Sequence, residues 1–306
     1  MTRELLIKMA RDVISHGKAN TIAKADDFYK MPSSVYFDEK RNQDEKDLIF
    51  KRIPIVLGPS AEIPNVGDFK TMDIVNTPII ISRTKDGSVK GFMNTCMHRG
   101  SPITFEETGN TMRFTCPYHG WTYNNDGKLM GIASENDFGD VDKECFNLIS
   151  FPVYERAGII WGILNPSSEV DFDSFIQDYD NMISHFGFEN WSLFAKRTIS
   201  GPNWKAGYDG YLDIYHVPVL HKNTFGPNTS NRPLYYSWGP HQRVCTVSLS
   251  KDKDRATLGY MSDLVDLEEK DWDIDTLLYG VWTVFPHASI ASFLGGGRDL
   301  EAKDEG

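Results

Sequence analysis

Apolar positions along the chain change their spacing twice. At the N-terminus Leu5, Leu6, Met9, Ala10 and Val13 recur every three or four residues, the spacing of an amphipathic helix. Pro32, beside Ser33 and Ser34, is expected to close that helical part, giving an N-terminal helical segment at 1–45. From Ile53 the period shortens. Short β-rich runs at 55–57, 78–81, 90–94, 113–115, 122–124 and 158–164 alternate with turns such as Lys85-Asp86-Gly87-Ser88 and Asn124-Asn125-Asp126-Gly127. This predicts a small antiparallel β domain over 46–165. After Asn165-Pro166 helical spacing returns over 172–186, followed by expected strands at 196–200, 243–250 and 279–285, so residues 166–306 read as a second, mixed domain. The predicted fold class is α+β.

Composition narrows the function classes. The 43 acidic against 32 basic residues give a formal charge of -11, which argues against a nucleic-acid backbone or an anionic membrane as partner. The longest apolar stretches, 158–164 and 78–81, fall far short of the roughly 20 residues a membrane helix needs. The N-terminus lacks the apolar core and small-residue cleavage site of a signal peptide. Four cysteines are too few for a disulfide scaffold in this length, and a reducing cytoplasm is the expected home. Cys145 and Cys245 stand alone and are expected to be small buried apolar residues.

The other two cysteines sit in a metal pattern. Cys96-Met97-His98-Arg99-Gly100 and Cys116-Pro117-Tyr118-His119-Gly120-Trp121 read C-x-H and C-x2-H, each after a predicted strand. Two loops that each present one thiolate and one imidazole can close over a Rieske-type [2Fe-2S] cluster, the cysteines on one iron and the histidines on the other. Gly100 and Gly120 are expected to let the backbone turn against the cluster where a Cβ would obstruct it. A Cys2His2 zinc site uses the same ligand types, but zinc fingers group cysteines with cysteines, whereas this chain interleaves them. Replacing two thiolates with neutral imidazoles lifts the potential into a range of roughly -150 to +300 mV. Such a cluster accepts electrons from a reduced flavin or ferredoxin.

A second constellation follows at Asn203-Trp204-Lys205 and Asp213-x2-His216-x4-His221. On a regular helix Asp213 and His216 share a face, but His221 lies about 140° away from His216 at about 100° per residue. Pro218, which cannot donate back to Ile214, is expected to kink or end the helix there and let His221 swing round. Two histidines and a carboxylate on one side of an iron leave open positions for dioxygen and substrate. Asp213 is then either a ligand or the carboxylate that orients His216.

With both motifs in view, the sequence resembles the Rieske non-haem iron oxygenases, in particular the α subunits of aromatic-ring-hydroxylating dioxygenases. The match runs over residues 37–297, through Pro64-x2-Gly67-Asp68, CMHRG, CPYHGWTY, Asn203-Trp204-Lys205 and D-x2-H-x4-H. The resemblance implies a Rieske domain near the start of a helix-grip catalytic domain, with mononuclear Fe(II) on His216 and His221. It implies that Asp213 is not a ligand but links the cluster histidine of one subunit to the iron histidine of its neighbour. It further implies a head-to-tail homotrimer, because the two centres of one chain lie too far apart, with or without a small β subunit. Electrons would come from NAD(P)H through a ferredoxin and/or flavin reductase, and the reaction would serve aromatic hydrocarbon catabolism. The family's third iron ligand, an aspartate, normally follows the second histidine at a greater distance than the stretch from His221 to Gly306 provides. Asp299, Asp304 and Glu305 do not lie where it belongs. We therefore expect the sequence to be part of a longer product with an incomplete catalytic domain.

The leading expectation is a terminal oxygenase that hydroxylates an aromatic or similar apolar substrate with O2. The alternatives are a monooxygenase or demethylase on the same scaffold and a Rieske electron carrier without oxygenase chemistry. Trp204, Phe225, Tyr235, Tyr236 and Trp238 are read as core or as lining above the iron. His241 and His287 are read as surface or core histidines, and residues 263–275 as a solvated face or a cover.

Overall fold

A computed structural model describes residues 2–223, 230–246 and 264–292. The chain divides into two compact units, one of residues 38–172 and 187–198, the other of residues 1–37, 173–186 and 199–306. Together they are α+β, with antiparallel strand pairing in each.

In chain order the first elements are α1 (Thr2–Ala19), α2 (Glu39–Glu45), β1 (Ile55–Pro59), β2 (Asp68–Ile74), β3 (Thr77–Arg83), β4 (Val89–Met93) and β5 (Thr108–Asn110). Then come β6 (Arg113–Thr115), β7 (Thr122–Asn124), β8 (Leu129–Gly131), β9 (Ser150–Phe151), β10 (Val153–Arg156) and β11 (Ile159–Gly162). These strands form sheets of order β5-β2-β3-β4-β9, β1-β11-β10 and β6-β7-β8. The six runs read from the sequence all fall on strands. Strand β2 was hidden by Lys70, which is buried because its Nζ donates to Leu57 O at 3.0 Å and pairs with Glu62. Gly127, at φ +81°, makes the β7–β8 turn and lies against Phe92, whose ring a Cβ would meet at 2.3 Å. The core of this unit gathers Phe69, Ile80, Phe92, Phe114, Trp121 and Tyr123 around Cys96 and Cys116.

The second unit contains α3 (Phe172–Ile176) from Asp173 onward, α4 (Tyr179–Ile183), α5 (Trp204–Leu212), α6 (Val217–Leu220), β12 (Pro233–Trp238), β13 (His241–Thr246), β14 (Gly280–Val284) and β15 (Ala288–Ser292). The four strands run in sequence order as a meander, and α5 packs on β14 and β15. Helix α1 buries Leu6, Ile7, Met9, Ala10, Val13 and Ile14, so the stripe is turned away from Leu5, which is only partly buried. It ends at Asn20 (φ +51°), well before Pro32, because an asparagine in the left-handed region lets Thr21 N–H donate back to His16 O at 3.0 Å. The helix expected over 172–186 is broken at Gln177 and Asp178, which take φ +49° and +63°. Residues 196–200 are irregular, not a strand, since they find no partner strand among the described residues. The expected strand at 243–250 is seen to Thr246; its remainder lies outside the described residues. No helix among the described residues is long and apolar enough to cross a membrane.

Candidate metal centres

The first centre grows from the loops that follow β4 and β6, and both are closed by the same pair of backbone bonds. Cys96 N–H donates to Ser101 O at 2.8 Å and Gly100 N–H to Cys96 O at 2.9 Å; Cys116 N–H donates to Trp121 O at 2.8 Å and Gly120 N–H to Cys116 O at 3.0 Å. The turn needs a left-handed residue at its end, and Gly100 and Gly120 supply it at φ +75° and +68°. Among the protein's own atoms a Cβ at Gly100 meets nothing within 4 Å and one at Gly120 meets only Ala133 Cβ at 3.0 Å. Backbone conformation by itself calls for glycine at both places.

This geometry delivers Cys96 and Cys116 into the core at 3% and 2% exposure. The rings of His98 and His119 stand 4.7 Å apart. His98 Nδ1 is buried without a hydrogen-bond partner, a state that a metal would relieve. Burial, reinforced by His98 and Arg99, holds the His119 pKa below its ordinary value and leaves a lone pair for coordination. Burial pushes the Cys96 thiol up, so its thiolate needs a cation beside it. Among the described residues no three His, Cys, Asp or Glu side chains converge as a lone ion would need. A two-iron cluster asks for only two from each side. The four expected ligands therefore fit such a cluster.

Two neighbours were missed at the sequence level. Trp121 lies flat on His98, with centroids 4.9 Å apart and planes within 4°, and the Tyr123 hydroxyl is 3.4 Å from Cys96 Sγ. Their signal was the period of two: residues 121 and 123 share one face of an extended segment. Cys145, expected to be buried, is exposed and donates to Asp142 Oδ2 at 3.3 Å. Cys245 is buried as expected.

The second centre is built on a helix break. Helix α5, N-capped by Asn203 through Ala206 N–H at 3.0 Å, ends at Leu212, and Asp213 is extended at φ -82°, ψ 98°. His216 opens the single turn α6 and His221 closes it. The expected kink at Pro218 is corrected: Pro218 lies in the first turn of α6, where its missing N–H costs nothing. The break falls earlier, at 213–215, where the Asp213 carboxylate accepts from Tyr215 N–H at 2.8 Å and offers the chain an alternative to helix. The turn brings the His216 and His221 rings to 5.4 Å. Asp213 Oδ2 lies 3.4 Å from His216 Nδ1, the place of an orienting carboxylate, leaving Nε2 for a metal. These two histidines fit an iron but do not complete its coordination. Phe225, Asp299, Asp304 and Glu305 lie outside the described residues.

Of the other candidates, Trp238 is half-buried and stacks on the core residue Trp282 at 6.1 Å, while the Tyr235 hydroxyl donates to Leu212 O at 2.8 Å. Trp204 meets Phe285 edge-on. Tyr236 reaches α1 at Met9 O, at 3.3 Å. His241 is fully buried against Tyr179, and burial lowers its pKa to about 4. The described part of the acidic stretch is more than a solvated face: Glu269 accepts two bonds from Arg11 at 2.8 Å, and Leu264 and Trp272 are buried.

Residues 54–150 match the family model described as Rieske [2Fe-2S] domain, and residues 188–295 the one described as ring hydroxylating alpha subunit (catalytic domain). The chain is 33% identical over 195 residues to the large oxygenase component of the 2,4-dinitrotoluene dioxygenase system of Burkholderia sp. (strain RASC), covering 61% of this chain and 43% of that protein. It is 30% identical over 210 residues to N,N-dimethyl phenylurea N-demethylase subunit alpha of Sphingobium sp. (strain YBL2), covering 62% and 43%. The chain spans less than half the length of these curated relatives. Naphthalene 1,2-dioxygenase from Rhodococcus sp. bound to indole shares the fold, with a TM-score of 0.67 and 21% identity over 95% of this chain and 69% of that one.

Proposed function

The chain belongs to the α subunits of the Rieske non-haem iron oxygenases, and on that premise we propose that it is the terminal oxygenase component of an electron-transfer system, hydroxylating an aromatic or similar apolar substrate with O2. Cys96 and Cys116 would hold one iron of the [2Fe-2S] cluster, His98 and His119 the other, and His216 and His221 the mononuclear Fe(II). When bound, the cluster supplies single electrons and the mononuclear iron supplies the site at which O2 is reduced. The observation that carries the reading is the pair of loops with one hydrogen-bond pattern, each presenting a buried cysteine and a histidine toward the other.

The chain's own groups prepare these sites. Trp121 covers His98 and keeps water from that side. Asp213 Oδ2, 3.4 Å from His216 Nδ1, stands where a carboxylate would orient the imidazole and leave Nε2 for the metal. Asp213 is half exposed, so it can also meet a neighbouring subunit, in keeping with a bridging role in a homotrimer. Electrons would arrive from NAD(P)H through a ferredoxin and/or flavin reductase in the cytoplasm.

Iron and acid-labile sulfide analysis tests the reading: about three irons per chain with a Rieske spectrum support it. About two irons leave an electron carrier, and none overturns it. A second reading, monooxygenation or demethylation, draws on the 30% identity to a demethylase subunit. Turnover under labelled O2 separates the two. Two labelled atoms in one product mean dioxygenation, and one atom with formaldehyde release means demethylation.

A further inference from the structure

We propose that the cavity between the end of α1 and the strand β12 is a binding site for a small aromatic carboxylate. The inference goes beyond the oxygenase reading and uses none of the candidate iron ligands.

The cavity holds about 970 Å³, within the roughly 300–1,000 Å³ of small-molecule sites. Its walls come from three stretches of one compact unit: Asp12, His16 and residues 20–25; Tyr215; and residues 231–236. Strand β12 is the edge of its sheet. Successive side chains of a strand point to opposite faces, so consecutive residues line one space only where it meets the strand edge-on. Neither His216 nor His221 lines it.

The lining has two characters. Tyr215, Tyr235 and Tyr236 supply aromatic surface, and Ile22 and Leu234 supply aliphatic surface. Tyr215 is 74% exposed and Ile22 46%, apolar area that a flat ring would take out of water. Beside them stand two cations, Lys24 and Arg232, neither with a carboxylate partner among the described residues. One N–H of the Arg232 guanidinium donates to Asn20 Oδ1, which brings Arg232 to the segment that carries Lys24. The remaining N–H groups of its fork can make the paired bonds that a carboxylate accepts.

The negative features of the wall are already answered. Asp12 Oδ2 lies 3.7 Å from Lys8 Nζ and accepts from the Tyr236 hydroxyl at 3.3 Å. The carbonyl end of α1, which would repel an anion, is capped: His16 O and Gly17 O accept from the N–H groups of Thr21 and Asn20 at 3.0 and 3.2 Å. The cations thus favour an anion in a chain whose formal charge is -11. The apolar and aromatic walls favour one carried on a ring over a bare inorganic ion.

The test is equilibrium binding to the iron-loaded chain by titration calorimetry, with benzoate as the probe and benzamide and inorganic phosphate as comparisons. Benzoate is expected to bind saturably, and the other two about tenfold more weakly or worse. Arg232→Gln should lower benzoate affinity about tenfold. Should that variant fail to fold, Lys24→Glu, at an exposed position, reverses a charge of the same wall and should weaken benzoate likewise. No saturable binding of millimolar benzoate would overturn the inference. So would unchanged affinity in the folded variants, which would place the molecule elsewhere, the mononuclear iron included. Benzamide or phosphate binding as tightly as benzoate would overturn it too, the first by removing the charge and the second the ring. The readout is binding, so a failure of the oxygenase reading would leave this result standing.

Discussion

Asn94 stands two residues before Cys96 and is buried, and its amide spans the first metal-binding loop from entry to exit. Oδ1 accepts from Ile103 N–H at 2.9 Å and from Thr104 N–H at 3.3 Å, while Nδ2 donates to Thr104 O at 2.9 Å. Asn94→Ala strands the buried Ile103 donor, at about 1–3 kcal/mol, and loses the Thr104 bonds at about 0.5–1.5 kcal/mol net. The loop should open more easily by about 2–4 kcal/mol. Because the chain has two units, a single melting temperature would blur this. Native-state hydrogen exchange reads the loop directly. Even the lower end corresponds to a roughly 30-fold loss of protection at Ile103, with protection in β11 unchanged as an internal control. Equal protection at Ile103 in wild type and Asn94→Ala would refute the claim that this side chain holds the loop.

Three further outcomes follow from other parts of the molecule. Asp213→Asn should leave both metals bound, by iron analysis, while slowing turnover severely; unchanged turnover would remove its bridging and orienting role. Gly127→Ala forces a side chain into a φ of +81° against Phe92 and should destabilise its unit by about 2–4 kcal/mol, read from the denaturant midpoint of that unit; a loss within experimental error would refute the close approach. His241 has a folded-state pKa of about 4 against about 6.5 unfolded. Its burial is harmless above pH 6.5, and stability falls as the pH drops from there toward 4, where the unfolded chain binds the extra proton. The fall should reach about 3 kcal/mol and flatten in His241→Phe; equal slopes in the two proteins would count against it.

What could be read in advance was whatever depends on local spacing. The cysteines and histidines of both loops, their following glycines and the six strand runs are short-range patterns, and the fold class and family followed from them. Lys70 shows the limit: a lysine inside Asp68–Ile74 argues against a buried strand until Leu57 O and Glu62, distant in sequence, are seen to receive its ammonium. Gln177 and Asp178 show another, since their left-handed backbone splits a helix that the apolar spacing runs straight through. The role of Asn94 was invisible for the same reason. Its three bonds reach residues 103 and 104, and no periodicity marks an amide that closes a loop.

The histidine pair of the second centre was legible as a pair, but its geometry was attributed to the wrong residue. Pro218 seemed the natural breaker, yet a proline within the first turn of a helix removes a donor that has no intrahelical acceptor. Asp213 makes the break by drawing Tyr215 N–H to its own carboxylate. The same carboxylate also stands beside His216. One side chain thus ends α5, sets the entry to α6 and orients a candidate iron ligand. Asp213→Ala should therefore disturb the approach of His216 to His221 as well as electron delivery, whereas Asp213→Asn, which keeps an oxygen for Tyr215 N–H, should spare the turn. Comparing iron occupancy in the two variants separates the structural duty of this residue from its electronic one. Equal retention of mononuclear iron would mean that the turn forms without the carboxylate.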